Sequence, residues 1–268
     1  MTRSLTRITT SDGVRIAYAD SGAGGPAVVL LHGFGCNIRH WAFQEQPLID
    51  AGFRVIAIDL RFHGESDRPQ HGQRISRMAQ DVAEVLQHEG IEDAVLVGHS
   101  LGVSVALSYV DLHGTAAVSK LVLIDQSPRI VNDADWAWGV RRVTWSTLEA
   151  QLAGTEPWGD QAREPEIPPA VIEMVTAAGG FDDFTTSPFP ALKVDHFVAD
   201  WRDVLPAIDV PTWVVTSAHS PSFPREGFEW VTATVPDARL TVYPHSGHCP
   251  HWNERDDFNR DLIAFAAS

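Results

Sequence analysis

The chain has 268 residues, 44 % apolar and 21 % charged, which fits one large α/β fold or two small domains and excludes a disordered or collagen-like chain. Its 20 Lys and Arg stand against 35 Asp and Glu, a net charge of −15 that repels phosphate backbones and anionic headgroups, so neither nucleic acid nor a membrane surface is an expected partner. Two cysteines, Cys36 and Cys249, cannot build a disulfide framework, whereas 12 His and 9 Trp are an excess of imidazole and indole.

Residues Met1–Asp12 hold no apolar run long enough for a signal-peptide core, and the longest strongly apolar stretch, Ala27–Leu31, is a strand's length. A cytoplasmic protein is expected. Arg15–Ala19 reads as an early strand, followed by a Gly-rich turn over Ser21–Pro26. Ala27–Leu31 is uninterrupted and apolar, the pattern of a strand buried on both faces of a parallel sheet. Phe53–Leu60, Ala94–Val97, Lys120–Asp125, Pro211–Thr216 and Arg239–Tyr243 repeat that signal.

Between these strands lie helical periods. From about Ser76, the residues Met78, Val82, Val85 and Leu86 fall on one stripe, and Gly90 is placed to stop the helix. Ser100–His113 reads as a buried helix, and Glu254–Ala267 carries Phe258, Leu262 and Phe265 on one face. Strands alternating with helices predict an α/β fold with a mostly parallel central sheet and helices on both faces. Residues from about Arg129 to Asp209 break the rhythm: five of the nine tryptophans, several prolines and the pair Gly179-Gly180 fall there, as short helices and loops laid over the core.

Gly98-His99-Ser100-Leu101-Gly102 sits between a buried strand and a helix, a G-x-S-x-G nucleophile elbow in the context it requires. So sharp a turn strains the serine backbone and needs tiny neighbours. It lifts the hydroxyl to a helix N-terminus, where partial positive charge favours an oxyanion.

Together with His32-Gly33-Phe34-Gly35, Asp59-Leu60-Arg61-Phe62-His63-Gly64-Glu65-Ser66, Leu121–Asp125 and Ser246-Gly247-His248, the elbow resembles the α/β-hydrolase fold superfamily over all but residues 129–209. The resemblance implies a core of residues 1–128 and 210–268, with 129–209 as a helical cap inserted between strands 6 and 7 of that fold. It implies Ser100 as nucleophile, His248 as general base, and the amides of Phe34 and Leu101 as the oxyanion hole, each donor worth on the order of 10²–10³ in rate. The superfamily commonly places its acid after the penultimate strand, where this chain aligns Ser220 and offers no carboxylate before Glu226. Asp125, ending the preceding strand, is the alternative, used in certain lactone hydrolases and cofactor-free dioxygenases.

Asp59–Ser66 reads as a structural turn. His245, His248, Cys249 and His251 hold metal-ligand types at a spacing that matches no closed zinc site, so no metal and no cofactor is expected. Phe34, Trp41, Trp136 and Trp138 are the expected substrate contacts, with the tryptophans read equally well as the cap's own small core. The expected function is a serine hydrolase of an ester or lactone with an apolar portion. The alternative is a cofactor-independent dioxygenase of a hydroxy-quinolone-like substrate, although Phe34–His40 lacks the Trp-Cys-x-Asp-His-Arg run of those enzymes. A third class, a non-enzymatic receptor, sits poorly with an intact Ser, His and Asp. The partner is a small molecule, and the sequence leaves the oligomeric state open.

Overall fold

The computed structural model describes residues 5–177 and 189–268 of the chain; Gly179-Gly180 and Pro188 lie outside them. An eight-stranded sheet carries the strands in the order β1-β2-β4-β3-β5-β6-β7-β8. They are β1 (Leu5–Thr9), β2 (Arg15–Asp20), β3 (Ala27–Leu31), β4 (Arg54–Ile58), β5 (Ala94–His99), β6 (Val118–Ile124), β7 (Thr212–Ser217) and β8 (Ala238–Tyr243). From β4 across to β8 every pairing is parallel, and β1 and β2 close one edge antiparallel.

The continuous apolar runs are explained by their two-sided burial. Val29, Leu31, Leu96, Leu121, Leu123 and Val214 face one core layer, together with α2 (Ile75–Glu89) and α3 (Leu101–His113). Val28, Leu30, Val95, Val97, Val122, Ile124 and Val215 face the other, under α1 (Ala42–Asp50) and α9 (Arg255–Ala267). Alternation along each strand thus splits one apolar run between two layers. In α2 the stripe Met78, Val82, Val85 and Leu86 is buried, and Gly90 ends the helix in the left-handed region at φ 63°. No side chain of its own caps the start of α2. Asp195, 120 residues away, accepts from the Ile75 amide instead.

Two elements escape the sequence reading. In β1 only Ile8 is buried, so no alternation marks it, and it exists by pairing with β2. Helix α1 carries Pro47 in its interior, against local propensity, and tertiary packing of Leu48 and the bonded amide of Gln44 holds it. Between β6 and β7 lie α4 (Leu148–Leu152), α5 (Pro169–Ala177) and α6 (Pro190–Val198). After β7 come α7 (Arg225–Thr234) and, past β8, the short α8 (Pro250–Asn253).

Candidate active site

Loops leaving the carboxyl ends of the parallel strands converge, as open α/β sheets dispose them. At the end of β5, Ser100 has φ 52° and ψ −120°, a backbone conformation that non-glycine residues rarely hold and that marks stored strain. The flanking glycines are required by contact. A Cβ on Gly98 would lie 2.5 Å from the Gly102 carbonyl oxygen, and one on Gly102 would lie 2.2 Å from that of Leu31. Leu101 opens α3, where first-turn amides have no intrahelical acceptor.

The loop after β3 passes beside the serine: a Cβ on Gly33 would lie 3.3 Å from Ser100 Cβ. That loop is pinned from below by Asp59, whose carboxylate accepts from the amides of Ile38 at 2.7 Å and Glu65 at 2.9 Å. Ser66 donates to the Asp59 carbonyl and accepts from the Ala17 amide. The 59–66 turn is therefore built as a scaffold for the loop that carries Phe34.

Asp125 follows β6 at φ 45° and is fully buried. Its Oδ2 accepts from His248 Nδ1 at 2.7 Å and from the Ser220 hydroxyl at 2.8 Å, while Oδ1 accepts from the Thr216 hydroxyl at 2.8 Å. Three charge-assisted bonds satisfy an anion that burial would otherwise penalise. Ser220 stands where the superfamily's usual acid is expected, and its hydroxyl is given to Asp125. Glu226 is exposed in the first turn of α7.

His248 is 24 % exposed. Burial by itself would lower its pKa, but the bond to Asp125 and the charges of Asp125 and Glu164 outweigh it and hold the imidazole above its ordinary value. Asp125 thereby fixes the tautomer that leaves Nε2 free to take a proton.

Beneath these groups the structure gathers His40, His99 and His251, which the sequence does not connect. His40 Nε2 and His251 Nε2 lie 2.9 Å apart, and His99 Nε2 bonds the His248 carbonyl at 2.9 Å. The His40–His251 contact is a hydrogen bond, one imidazole donating to the other. Burial, reinforced by neighbouring imidazoles that include His248, keeps all three well below their ordinary pKa. His245, grouped with His251 by spacing, is exposed and apart.

Of the expected substrate contacts, Phe34 is half-buried with its ring against His63 and His196, centroids 5.4 and 6.4 Å away. Trp41 needs correction: it is fully buried in the core layer under α1 and α9, its ring against His40 and His251. A side chain flanking the Phe34 loop in sequence is carried into the core at the end of the 3₁₀ turn Ile38–Trp41. Trp136 and Trp138 pack on each other and on Trp230, and Trp136 donates to the Arg129 carbonyl. Their described contacts are those of a small aromatic core against α7. Cys249 is buried, and burial pushes its thiol pKa well up; Cys36 is the more accessible thiol.

Sequence patterns pass over His196, Thr216 and Glu164. His196, on α6, is buried, its Nδ1 without a hydrogen-bond partner among the described residues and its pKa lowered to about 3 by burial. Glu164 accepts from the His248 amide. Isolated polar residues outside a motif carry no local signal.

This arrangement of elbow, buried acid and histidine on a mostly parallel sheet is that of a hydrolase. The model of the alpha/beta hydrolase family matches residues 28–261, and the chain belongs to that family. It is 31 % identical to a non-heme haloperoxidase from Rhodococcus erythropolis, covering 97 % of this chain and 99 % of that protein. It is 29 % identical to a bifunctional esterase/perhydrolase from Acinetobacter calcoaceticus, with 97 % and 99 % covered. Among solved structures it is similar to an esterase from Exiguobacterium antarcticum, with a TM-score of 0.82 at 27 % identity, covering 98 % of this chain and 99 % of that one. The protein is an enzyme of the hydrolase class.

Proposed function

We propose that the protein is a serine hydrolase that cleaves an ester or lactone of a small, partly apolar substrate through an acyl-enzyme. The observation that carries this reading is the 2.7 Å bond from His248 to a fully buried, three-fold bonded Asp125, beside a strained Ser100. Relatives named as esterases agree with an ester substrate.

His248 Nε2 takes the hydroxyl proton as Ser100 Oγ attacks the acyl carbon, and Asp125 stabilises the imidazolium. The oxyanion rests on the amides of Phe34 and Leu101. Collapse expels the alcohol, protonated by His248, and a water activated by the same imidazole releases the acid. Residues 129–209 serve as a cap, and Phe34 with His196 above it forms part of the apolar wall next to the reacting carbonyl.

Treatment with a fluorophosphonate should add one phosphonyl group to the intact mass, and Ser100→Ala should abolish the adduct. If Ser100→Ala keeps most of its turnover and the reaction consumes O₂, the hydrolase reading is wrong. The pH profile supplies a second check. His248 must be neutral to act as base and its pKa is raised, so kcat/KM should fall with decreasing pH through an apparent pKa above 6.5. A midpoint at or below 6.5 would contradict that charge balance.

A further inference from the structure

We infer that Arg163 and Glu164, adjacent in the segment between β6 and β7, form a positioning latch that fastens this segment onto both loops that carry the base and its supports. This rests on the serine hydrolase reading above. Glu164 places both carboxylate oxygens on the backbone amide of His248, at 3.1 and 3.0 Å. Arg163 donates from Nε to the Ser220 carbonyl at 3.2 Å and from a terminal nitrogen to the Ala218 carbonyl at 2.9 Å. One dipeptide therefore grips the loop of the general base and the loop whose Ser220 hydroxyl holds Asp125.

The fit is close. A Cβ on Gly247 would lie 2.3 Å from the Glu164 Oε1, so only glycine lets the carboxylate reach the next amide. The two gripped loops also meet through the His219 amide and the Ser246 carbonyl at 3.1 Å, so the latch seals a junction that is already formed. The same segment docks alongside through the Asp160 amide on the Pro221 carbonyl and the Trp158 indole on the Ser222 hydroxyl.

Glu164 acts through His248 and is a positioning residue with two separable effects. Its hydrogen bonds fix the loop, and its negative charge adds to that of Asp125 in favouring imidazolium. The titratable and charged groups around this junction are Asp125 at the end of β6, His99 at the end of β5, His219 and His245 on the two gripped loops, Glu254, which accepts from the His245 amide and the Ser246 hydroxyl, Cys249 and His251 following His248, and Arg163 and Arg141 on the inserted segment. Of the carboxylates, Asp125 and Glu164 are the ones that act on His248. Arg163 spends its donors on carbonyls, and His99 and His251 are neutral. Asp125 and Glu164 are thus the charges that set the base.

The test follows fluorophosphonate labelling of Ser100 and substrate kinetics against pH in the full chain, with hydrogen exchange at the His248 amide. Glu164→Ala should slow labelling and lower kcat roughly 10–100-fold with KM changed less than about threefold, the scale set by small misplacement of a catalytic group. Its His248 amide should lose exchange protection. Glu164→Gln keeps an acceptor and removes the charge; it should restore most of the rate, with the acid limb of kcat/KM shifted to lower pH. Labelling and exchange at wild-type levels in Glu164→Ala would overturn the latch, as would a Glu164→Gln enzyme as slow as Glu164→Ala with its acid limb unmoved. If Glu164→Ala does not fold, the Glu164→Gln acid limb decides alone. A wild-type chain that the probe does not label sinks the hydrolase reading instead, and the exchange experiment still decides the latch.

Discussion

Replacing Asp125 by Asn should lower kcat by about 10⁴, the loss measured when the equivalent acid of another serine hydrolase is changed in this way. An amide at this position cannot accept from His248 Nδ1 with a full negative charge, and its NH₂ group favours the tautomer with the proton on Nε2. The base would then present a hydrogen where it must present a lone pair. The imidazolium formed on attack would also lose its counter-ion inside a site where Asp125 is fully buried. Thr216 and Ser220 can turn their hydroxyls to suit an amide, so the melting temperature should stay close to the wild type's. That contrast, activity lost and fold kept, is what steady-state kinetics and thermal unfolding on one preparation would read. A kcat loss of less than tenfold would take the acid role away from Asp125.

The largest expected effect on stability lies in a buried charge network that includes none of Ser100, Asp125 and His248. Arg61 is fully buried and forks between Asp12 and Asp81, with contacts of 2.8 Å to the first and 2.7 Å to the second. Asp81 is itself buried at 2 % side-chain exposure and shares Arg77, also at 2.8 Å. Burial holds the Asp81 carboxyl above its ordinary range in spite of both guanidiniums. Removing one partner of such a group leaves a poorly compensated buried charge, which typically costs about 3–5 kcal/mol. Because Arg77 remains, Arg61→Met should fall at the low end, about 3 kcal/mol, or a loss of roughly 6–12 °C in Tm for a chain of this size. Arg61→Lys should recover little of it, since an ammonium cannot fork to two carboxylates. Melting within about 2 °C of wild type would show that the network contributes only as an exposed ion pair would.

Arg61 lies inside the 59–66 turn, which the sequence suggests is structural, and its neighbours bear out that character. Asp59 pins the Phe34 loop, and Arg61 ties the turn to α2 through Asp81. The loop that carries Phe34 is thus held by a rigid support reached through hydrogen bonds to backbone amides. No apolar period could announce it.

Much of the fold is legible in the order of the residues. The α/β class, the parallel sheet, most strand positions and the elbow at Ser100 are written in local patterns: uninterrupted apolar runs, one helical stripe and glycines two residues either side of a serine, and the resemblance to the superfamily adds His248. Such signals are local because they report burial and backbone geometry at their own position. The absence of a carboxylate from residues 216–225, in the loop after β7, is equally legible, and it points to Asp125.

The tertiary structure alone decided which groups meet. Asp125 and His248 are 123 residues apart, Ser220 and Asp125 95, and Glu164 and His248 84. In sequence, Trp136 and Trp138 are open to two readings, substrate contact or the cap's own core, and Trp41 is read as a substrate contact. Trp41 belongs to the core under α1 and α9, and Trp136 and Trp138 join Trp230 on α7, while Glu164 reaches the His248 amide and His196 the Phe34 ring. A side chain's type limits what chemistry it can perform. Which partner it finds depends on how distant loops close over the carboxyl edge of the sheet, and no period of 2 or 3.6 residues encodes that closure.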